Sequence, residues 1–499
     1  MKQNAKLIIL DNINCAFVGL HSDDIELLYN KFSYEAPNYF FNPRYKMGMW
    51  DGQNHFFQKT GKTYIYLVPE ILPILKRLDY KVTLDDRRSE DFIKPTLIDA
   101  DYFSHIENVE NGMPWKMRPY QVEAVNTLLT NGSGIAIAGT GAGKSSICAA
   151  LADSYEKHGG LRTITVVPNV NLVTQTRNEF SFLGLDTGEF CGESKDIEHA
   201  HVISTWQSLK NVPQLLKMFQ VIIVDECHGV RGNVLQQLLN KHGTHIAHRF
   251  GVTGTLPKHP SDALSILVSL GEVHYEIAAH ELIDQGWLAK LHIEIFRLDV
   301  DLTAEYDDFL SGKPKIIPSY KEFKEQFFPD WQSEKEFLHV EKKRLHWIGD
   351  YLQRKRSENK GNVLCLVDSI KFGRRLQEYV PDSHFVHGQD KAKARQEIYN
   401  LFQDNDNVVV IATVHIAGTG LNIKRIFNLV FVDMGRSFIR VIQTIGRGLR
   451  KAVDKDFVLV SDICSDLKYS RRHTRERISF YKEAGYPYKK TAVDYNKFT

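Results

Sequence analysis

Residues 134–155 read GIAIAGTGAGKSSICAALADSY. A short apolar run, a glycine-rich loop and a helix-forming stretch follow one another, the order of a buried strand turning into a helix N-terminus. Gly141 and Gly143 let backbone N–H groups approach an anion that a Cβ would hold off, and the start of the helix adds partial positive charge. In the loop Gly139, Thr140, Gly141, Ala142 and Gly143, this reads as a phosphate cradle. Lys144 would then reach the β- and γ-phosphates of a bound nucleotide, and Ser145 would ligate Mg²⁺. The first position of the pattern is Ala138, where glycine is usual.

Downstream of that loop, short β-branched apolar runs end in polar residues and give way to helical stretches: TITVVP, VIIVDE and RFGVTGT, then NVLCLVDS, VVVIATV, LVFVDM and FVLVSDI. Runs of this kind are strands buried on both faces of a parallel sheet, with active loops at their C-terminal ends. The expected organisation is α/β: a small N-terminal α/β domain over 1–95, parallel-sheet lobes over 96–290 and 291–465, and a basic helical tail over 466–499. Leu302 to Lys360, with Pro314, Pro318 and Pro329, reads as a connection carrying a helical insert.

VIIVDECH puts Asp225 and Glu226 at the mouth of a strand. Asp225 is expected to hold Mg²⁺, Glu226 to orient and deprotonate the attacking water, and His228 to sit beside the γ-phosphate. Cys227 and His228 alone, without a second ligand pair, make a poor zinc site. QTIGRGLR, Gln443 to Arg450, carries Arg447 and Arg450 three apart on one helix face, fit for the spread charge of a phosphoryl-transfer transition state. Because these arginines belong to the second lobe, the site is expected to form between lobes.

A chain of 499 residues is long enough for about three cores. Its six cysteines are scattered without a CxxC pair, which argues against a zinc ribbon or disulfide framework and favours a reducing cytoplasm. No run approaches the roughly 20 apolar residues of a membrane helix. The formal net charge of +2 hides an asymmetry: residues 1–113 hold 13 Lys/Arg against 16 Asp/Glu, and residues 434–499 hold 15 against 7. The basic end reads either as a phosphate-binding face or as a solvated helix.

The series AGTGAGKS, DECH, VTGT, TVHIAGTGLN and QTIGRGLR resembles the superfamily 2 helicases and translocases over residues 114–465. The resemblance implies two tandem RecA-like lobes. It puts Arg118 and Gln121 of RPYQ at the nucleotide, with Gln121 on the adenine edge, and gives Thr253 and Thr255 the coupling of ATP state to movement. VVPNVNLVTQ and STWQSL look like loops that grip a strand backbone, through Pro168, Asn169, Thr205 and Gln207. Ser369, His387, Gly388 and Thr413 would form the matching grip in the second lobe, with Gly420 at the cleft and Gln443 in the arginine motif. Asn422 stands where many relatives have Asp. Grips on phosphates are blind to base sequence, so the expected partner is nucleic acid recognised by shape.

FFNPRYKMGMWDGQNHFF, Phe40 to Phe57, admits two readings. Its aromatics alternate as buried strands do, with Phe41, Tyr45 and Trp50 as core, while Arg44 and Lys46 face DNA. Ahead of a motor with these motifs it is similar to the N-terminal domain of bacteriophage branch-migrating helicases of the UvsW type. That likeness implies a monomeric, ATP- and Mg²⁺-dependent DNA motor that remodels forks, displacement loops and Holliday junctions, in a host cytoplasm if phage-encoded. If residues 1 to about 95 form a small module that holds duplex arms or branch points, its removal is expected to leave a folded motor. An RNA helicase, a nucleic-acid scaffold with a vestigial ATPase and, last, a restriction-type translocase are the other readings.

Overall fold

The structure is a computed structural model describing residues 3–88, 93–108, 112–231, 233–358, 361–390, 397–398, 400–402, 404–414, 425–435, 445–446 and 454–497. Two compact units make it up: Met1–Gly139 with Gly143–Ile277, and Thr140–Ala142 with Ala278–Thr499.

In the first unit an eight-stranded sheet runs in the order Ser194–Lys195, Thr187–Cys191, His201–Thr205, Thr163–Val167, Val221–Asp225, His248–Thr253, Ser133–Ala138, Val273–Ile277. Every pairing is parallel except at the short Ser194–Lys195 edge. Thr163–Val167 and His201–Thr205 are buried along their whole length, as the continuous apolar reading predicts for strands covered on both faces. Parallel strands bring their C-terminal ends to one edge, and with them the glycine loop, Asp225 and Thr253.

The N-terminal module has a four-stranded sheet, Lys62–Tyr64, Asn14–Val18, Gln3–Ile9 and Tyr80–Asp86, in that order. The helices Ser22–Lys31 and Val68–Arg77 and a small Ser33–Glu35/Gln53–His55 ribbon complete it. It is continuous with the first lobe. Val268, from the helix Pro260–Leu270, is part of the module's core, and Leu264 and Leu267 pack against it. Asn54 bonds Ser261 at 2.8 Å, Tyr66 bonds Ser133 at 3.0 Å, and the Asn12 N–H bonds the Thr244 carbonyl at 3.2 Å. The module expected over 1–95 thus has a sheet of its own and packs on the first lobe within one compact unit.

The second unit has a seven-stranded, wholly parallel sheet: His384–Val386, Val409–Thr413, Val363–Val367, Asn428–Val432, Phe457–Ser465, Lys290–Leu298, Tyr488–Val493. The last strand corrects the helical tail. After the helix Lys468–Glu483 the chain returns to extend the sheet, Ile293 facing Tyr488 and Leu298 facing Val493. A left-handed turn at Gly485 and then Pro487 stop the helix and allow that return. Between Leu302 and Lys360 lie four helices, Thr303–Ser311, Tyr320–Gln326, Trp331–Leu338 and Lys342–Ser357, and the last of them lays Leu345, Trp347, Ile348 and Leu352 into the lobe's core. Two buried ion pairs brace it, Arg344–Asp433 at 2.8 Å and Arg477–Asp462 at 2.8 Å, the latter also taking the Tyr481 hydroxyl at 2.9 Å. All six cysteines are buried and unpaired.

Candidate functional site

Lys144 opens the helix Lys144–Gly159, directly after Gly143 in the left-handed region at φ +78°. A Cβ on Gly143 would collide with the Gln121 amide, so glycine is required there for packing as well as for backbone freedom. Gln121 itself is buried, its carbonyl oxygen accepting from the Arg118 N–H at 2.9 Å at the start of the helix Pro119–Asn131. The Arg118 guanidinium donates to the Tyr120 hydroxyl at 2.9 Å. Gly141 is also left-handed, at φ +92°.

Across from the loop, Lys144 Nζ lies 3.3 Å from Glu226 Oε1, and His228 Nδ1 lies 3.3 Å from Glu226 Oε2. His228 Nδ1 is 3.1 Å from the Thr253 hydroxyl, which is 3.4 Å from Glu226 Oε2 and 3.0 Å from the Thr255 carbonyl. Three motifs far apart in sequence thus meet around one carboxylate. Glu226 adopts φ +53°, an unusual conformation for a non-glycine residue, where the strand Val221–Asp225 breaks into the short turn Cys227–Arg231.

The two adjacent acids are driven apart. Burial and then the Glu226 charge push Asp225 up from the usual carboxylate range. For Glu226 burial pulls the same way, but Lys144 and His228 outweigh it and hold the carboxyl low. Asp225 is a carboxylate in want of positive charge, which fits a divalent cation beside Ser145. Cys227 is buried and its thiol is raised far above its ordinary value by burial, which suits packing and not metal ligation.

The expected strand grips are arranged differently. Asn169 and Thr205 cap the helices Val170–Phe182 and Trp206–Asn211, accepting from Leu172 N–H at 3.1 Å and Ser208 N–H at 3.2 Å. Thr205 is buried, whereas Gln207 is exposed and its amide reaches the Pro168 carbonyl at 3.4 Å, joining the two loops. In the second lobe Ser369 caps Ile370–Gln377 through the Phe372 N–H at 3.3 Å, and Thr413 is buried at its strand end. His387 lies 3.4 Å from Arg374 and from Asp390, two residues no motif singled out, and Gly388 is exposed. Gly420, Asn422, Gln443, Arg447 and Arg450 lie outside the described residues.

In the N-terminal module, Phe40 to Trp50 is not a strand. Asn42 caps a one-turn helix, Pro43–Lys46, with proline at its first position, preceded by a 3₁₀ turn at Tyr39–Phe41. Phe40, Phe41, Tyr45, Met47 and Met49 are exposed, Phe41 at 69%, and Arg44 and Lys46 stand among them. Only Phe56 and Phe57 of the stretch are core, while Trp50 is half-buried and donates its indole N–H to the Gln53 carbonyl at 2.8 Å. The expectation of Phe41 and Tyr45 as core is therefore corrected.

Three family matches fall on these parts in order: the N-terminal domain of the DNA helicase UvsW over 12–85, the res subunit of type III restriction enzymes over 114–258, and the helicase conserved C-terminal domain over 343–452. Together with the parallel-sheet lobes and the Lys144–Glu226 site, they identify an enzyme: the chain belongs to the superfamily 2 helicases, which hydrolyse ATP. Within that class it is of the UvsW type. It is 25% identical to the ATP-dependent DNA helicase uvsW of Enterobacteria phage T4 over 92% of this chain and 93% of that one. It is 23% identical to the DNA 3'-5' translocase XPB2 of Sulfurisphaera tokodaii, over 73% and 88%. The crystal structure of T4 UvsW aligns over 99% of this chain and 100% of that chain at 19% identity and a TM-score of 0.46. The type ISP restriction-modification enzyme LlaBIII, bound to DNA, shares the fold over 85% of this chain and 36% of its own, at 13% identity and a TM-score of 0.55.

Proposed function

We propose that this ATP-dependent DNA helicase remodels branched duplexes, such as forks, displacement loops and Holliday junctions, in recombination, replication restart or repair. The observation that carries this reading is the rim of the N-terminal module. Exposed Phe40, Phe41, Met47 and Met49 around Arg44 and Lys46 combine surfaces on which unpaired bases stack with cations for phosphates. The motor works as a monomer, in the host cytoplasm if the gene is a phage's.

In the proposed chemistry, Lys144 exchanges Glu226 for the β- and γ-phosphates when ATP enters the glycine loop. Glu226, freed and already ionised, orients the attacking water and takes its proton. Ser145 and Asp225 would hold Mg²⁺, which would neutralise charge developing on the phosphoryl oxygens. Gln121 takes the adenine edge, and Arg118 supports it. Loss of the γ-phosphate is passed through His228 to Thr253 and Thr255. Arg447 and Arg450, with Gln443, Gly420 and Asn422, supply the second lobe's share, the arginines acting on the transition state. Pro168 with Gln207 in one lobe, and the loops at Ser369, His387, Gly388 and Thr413 in the other, hold a strand by its phosphates.

Phosphate release measured with single strands, duplexes, forks and four-way junctions, each in DNA and RNA, tests the reading. Forks and four-way junctions in DNA should stimulate most, and Phe40→Ser with Phe41→Ser should remove that preference while sparing stimulation by single strands. Stimulation by RNA alone, or equal stimulation by every DNA form, would overturn it.

A further inference from the structure

The second unit has a charged cavity of about 210 Å³ that no motif touches. Arg297 enters it from the end of the strand Lys290–Leu298, Lys321 and Lys324 from the helix Tyr320–Gln326, and Lys468 and Arg471 from the first turn of Lys468–Glu483. Against these five cations the cavity wall sets two carboxylates, Glu325 and Asp466, while Arg297 pairs with Asp299 at 3.6 Å. Both are already used: Asp466 takes Lys324 at 2.7 Å and Glu325 pairs with Arg471. Among the described residues Lys321 and Lys468 have no carboxylate partner, and the buried Arg471 Nε has no hydrogen-bond acceptor. Burial, and then the like charges of Arg475 and Arg297, pull Arg471 below the ordinary guanidinium value.

Lys321 and Lys468 thus leave two positive charges on the cavity wall that no carboxylate offsets, and an anion would balance them. The cavity is smaller than the roughly 300–1,000 Å³ of sites for small organic ligands, and its walls are ionic. A tetrahedral oxyanion with its waters fits, and a nucleoside does not. The helix end is not what would bind it, since the Glu334 carboxylate already accepts from the Tyr469 and Ser470 N–H groups at 2.9 and 2.7 Å. We propose that this cavity is a phosphate-binding site of the second lobe.

The strand ends Leu298 and Ser465 face each other on the same edge of the sheet as Val367, which leads to Ser369. Three strand steps separate Val363–Val367 from Lys290–Leu298, roughly 14 Å. A strand held at Ser369 would have a neighbouring phosphate within reach of the cavity, so the group bound is either a nucleic-acid phosphate or a free polyphosphate.

Lys321→Ala with Lys468→Ala, in the full chain, separates these. Labelled 20-mer single strands and duplexes are titrated across a salt series, with K315A/K342A as a control that removes two exposed lysines from the same segment. Inorganic pyrophosphate is titrated into wild type and variant by ³¹P NMR. A salt slope smaller by about 0.7 (single strand) to 0.9 (duplex) per lost contact, absent from the control, assigns the site to nucleic acid. An unchanged slope with one fewer pyrophosphate site assigns it to a free polyphosphate. An unchanged slope with unchanged pyrophosphate binding, or an equal fall in slope in the control, overturns the proposal.

Discussion

Lys144 and Glu226 satisfy one another at 3.3 Å, and in the proposed chemistry each is needed elsewhere once ATP arrives. Substituting one should therefore affect turnover far more than folding. Glu226→Gln is expected to lower DNA-stimulated phosphate release by about 10²–10⁴ with nucleotide binding retained, and Lys144→Ala to lose both. Glu226→Gln that hydrolyses ATP at the wild-type rate would exclude the carboxylate as the base. This centre was legible in the sequence because its demands are chemical: no other residue types provide a glycine cradle, a reaching cation and paired acids at those spacings. The grips were less legible. A Ser, Thr or Asn between a strand and a helix is what an N-cap requires, with or without a ligand. Asn169, Thr205 and Ser369 are engaged in that role, and sequence alone cannot separate capping from contact.

At the level of elements, His248 starts the strand that ends in Thr253, and packs at a tilt against Tyr155 with ring centroids 4.3 Å apart. Burial, partly opposed by a bond to the Gly132 carbonyl, pulls its imidazole down to about 4. Above pH 6.5 the ring is neutral in folded and unfolded chains alike and its contribution is complete. As pH falls from about 6.5 toward 4 the unfolded chain takes the proton first, so stability drops, by on the order of 3 kcal/mol at the bottom of the window. Urea midpoints between pH 7.5 and 4.5 should fall more steeply for wild type than for His248→Asn, and parallel curves would remove His248 from the account. The stretch from Phe40 to Phe57 shows where an element was misread. Alternating aromatics suggested strands, but Asn42–Pro43 start a helix. Gly52 lies in the left-handed region against the Tyr39 ring, turning the chain again. Turn chemistry outweighed periodicity there.

For the molecule, the N-terminal module is a wall of the first lobe's unit and not an appendage. Its removal would bare Val268, whose burial is worth roughly 1.5–3 kcal/mol, and further expose the partly buried Leu264 and Leu267 on the helix Pro260–Leu270. A chain beginning at residue 96 is expected to melt several degrees below the full chain and to bind a hydrophobic dye, in contrast to the separable module that its sequence suggested. Identical melting and no dye binding would show that the interface contributes nothing. The lobes themselves were legible because strands covered on both faces must be apolar throughout. The join was not, because Leu264 and Val268 would look the same facing their own sheet or another. For the same reason the strand Tyr488–Val493 escaped notice: as an edge strand with Lys489 and Lys490 exposed, it carries little apolar signal.

With every native cysteine enclosed, and the Cys148 and Cys227 thiols held protonated by burial, the chain offers maleimide dyes almost nothing to attack. Lys195 and Lys482 are exposed, one in each unit. Cysteines placed at those two positions would carry a fluorophore pair in the otherwise natural sequence, and energy transfer between them would follow the separation of the lobes through each round of hydrolysis, one molecule at a time.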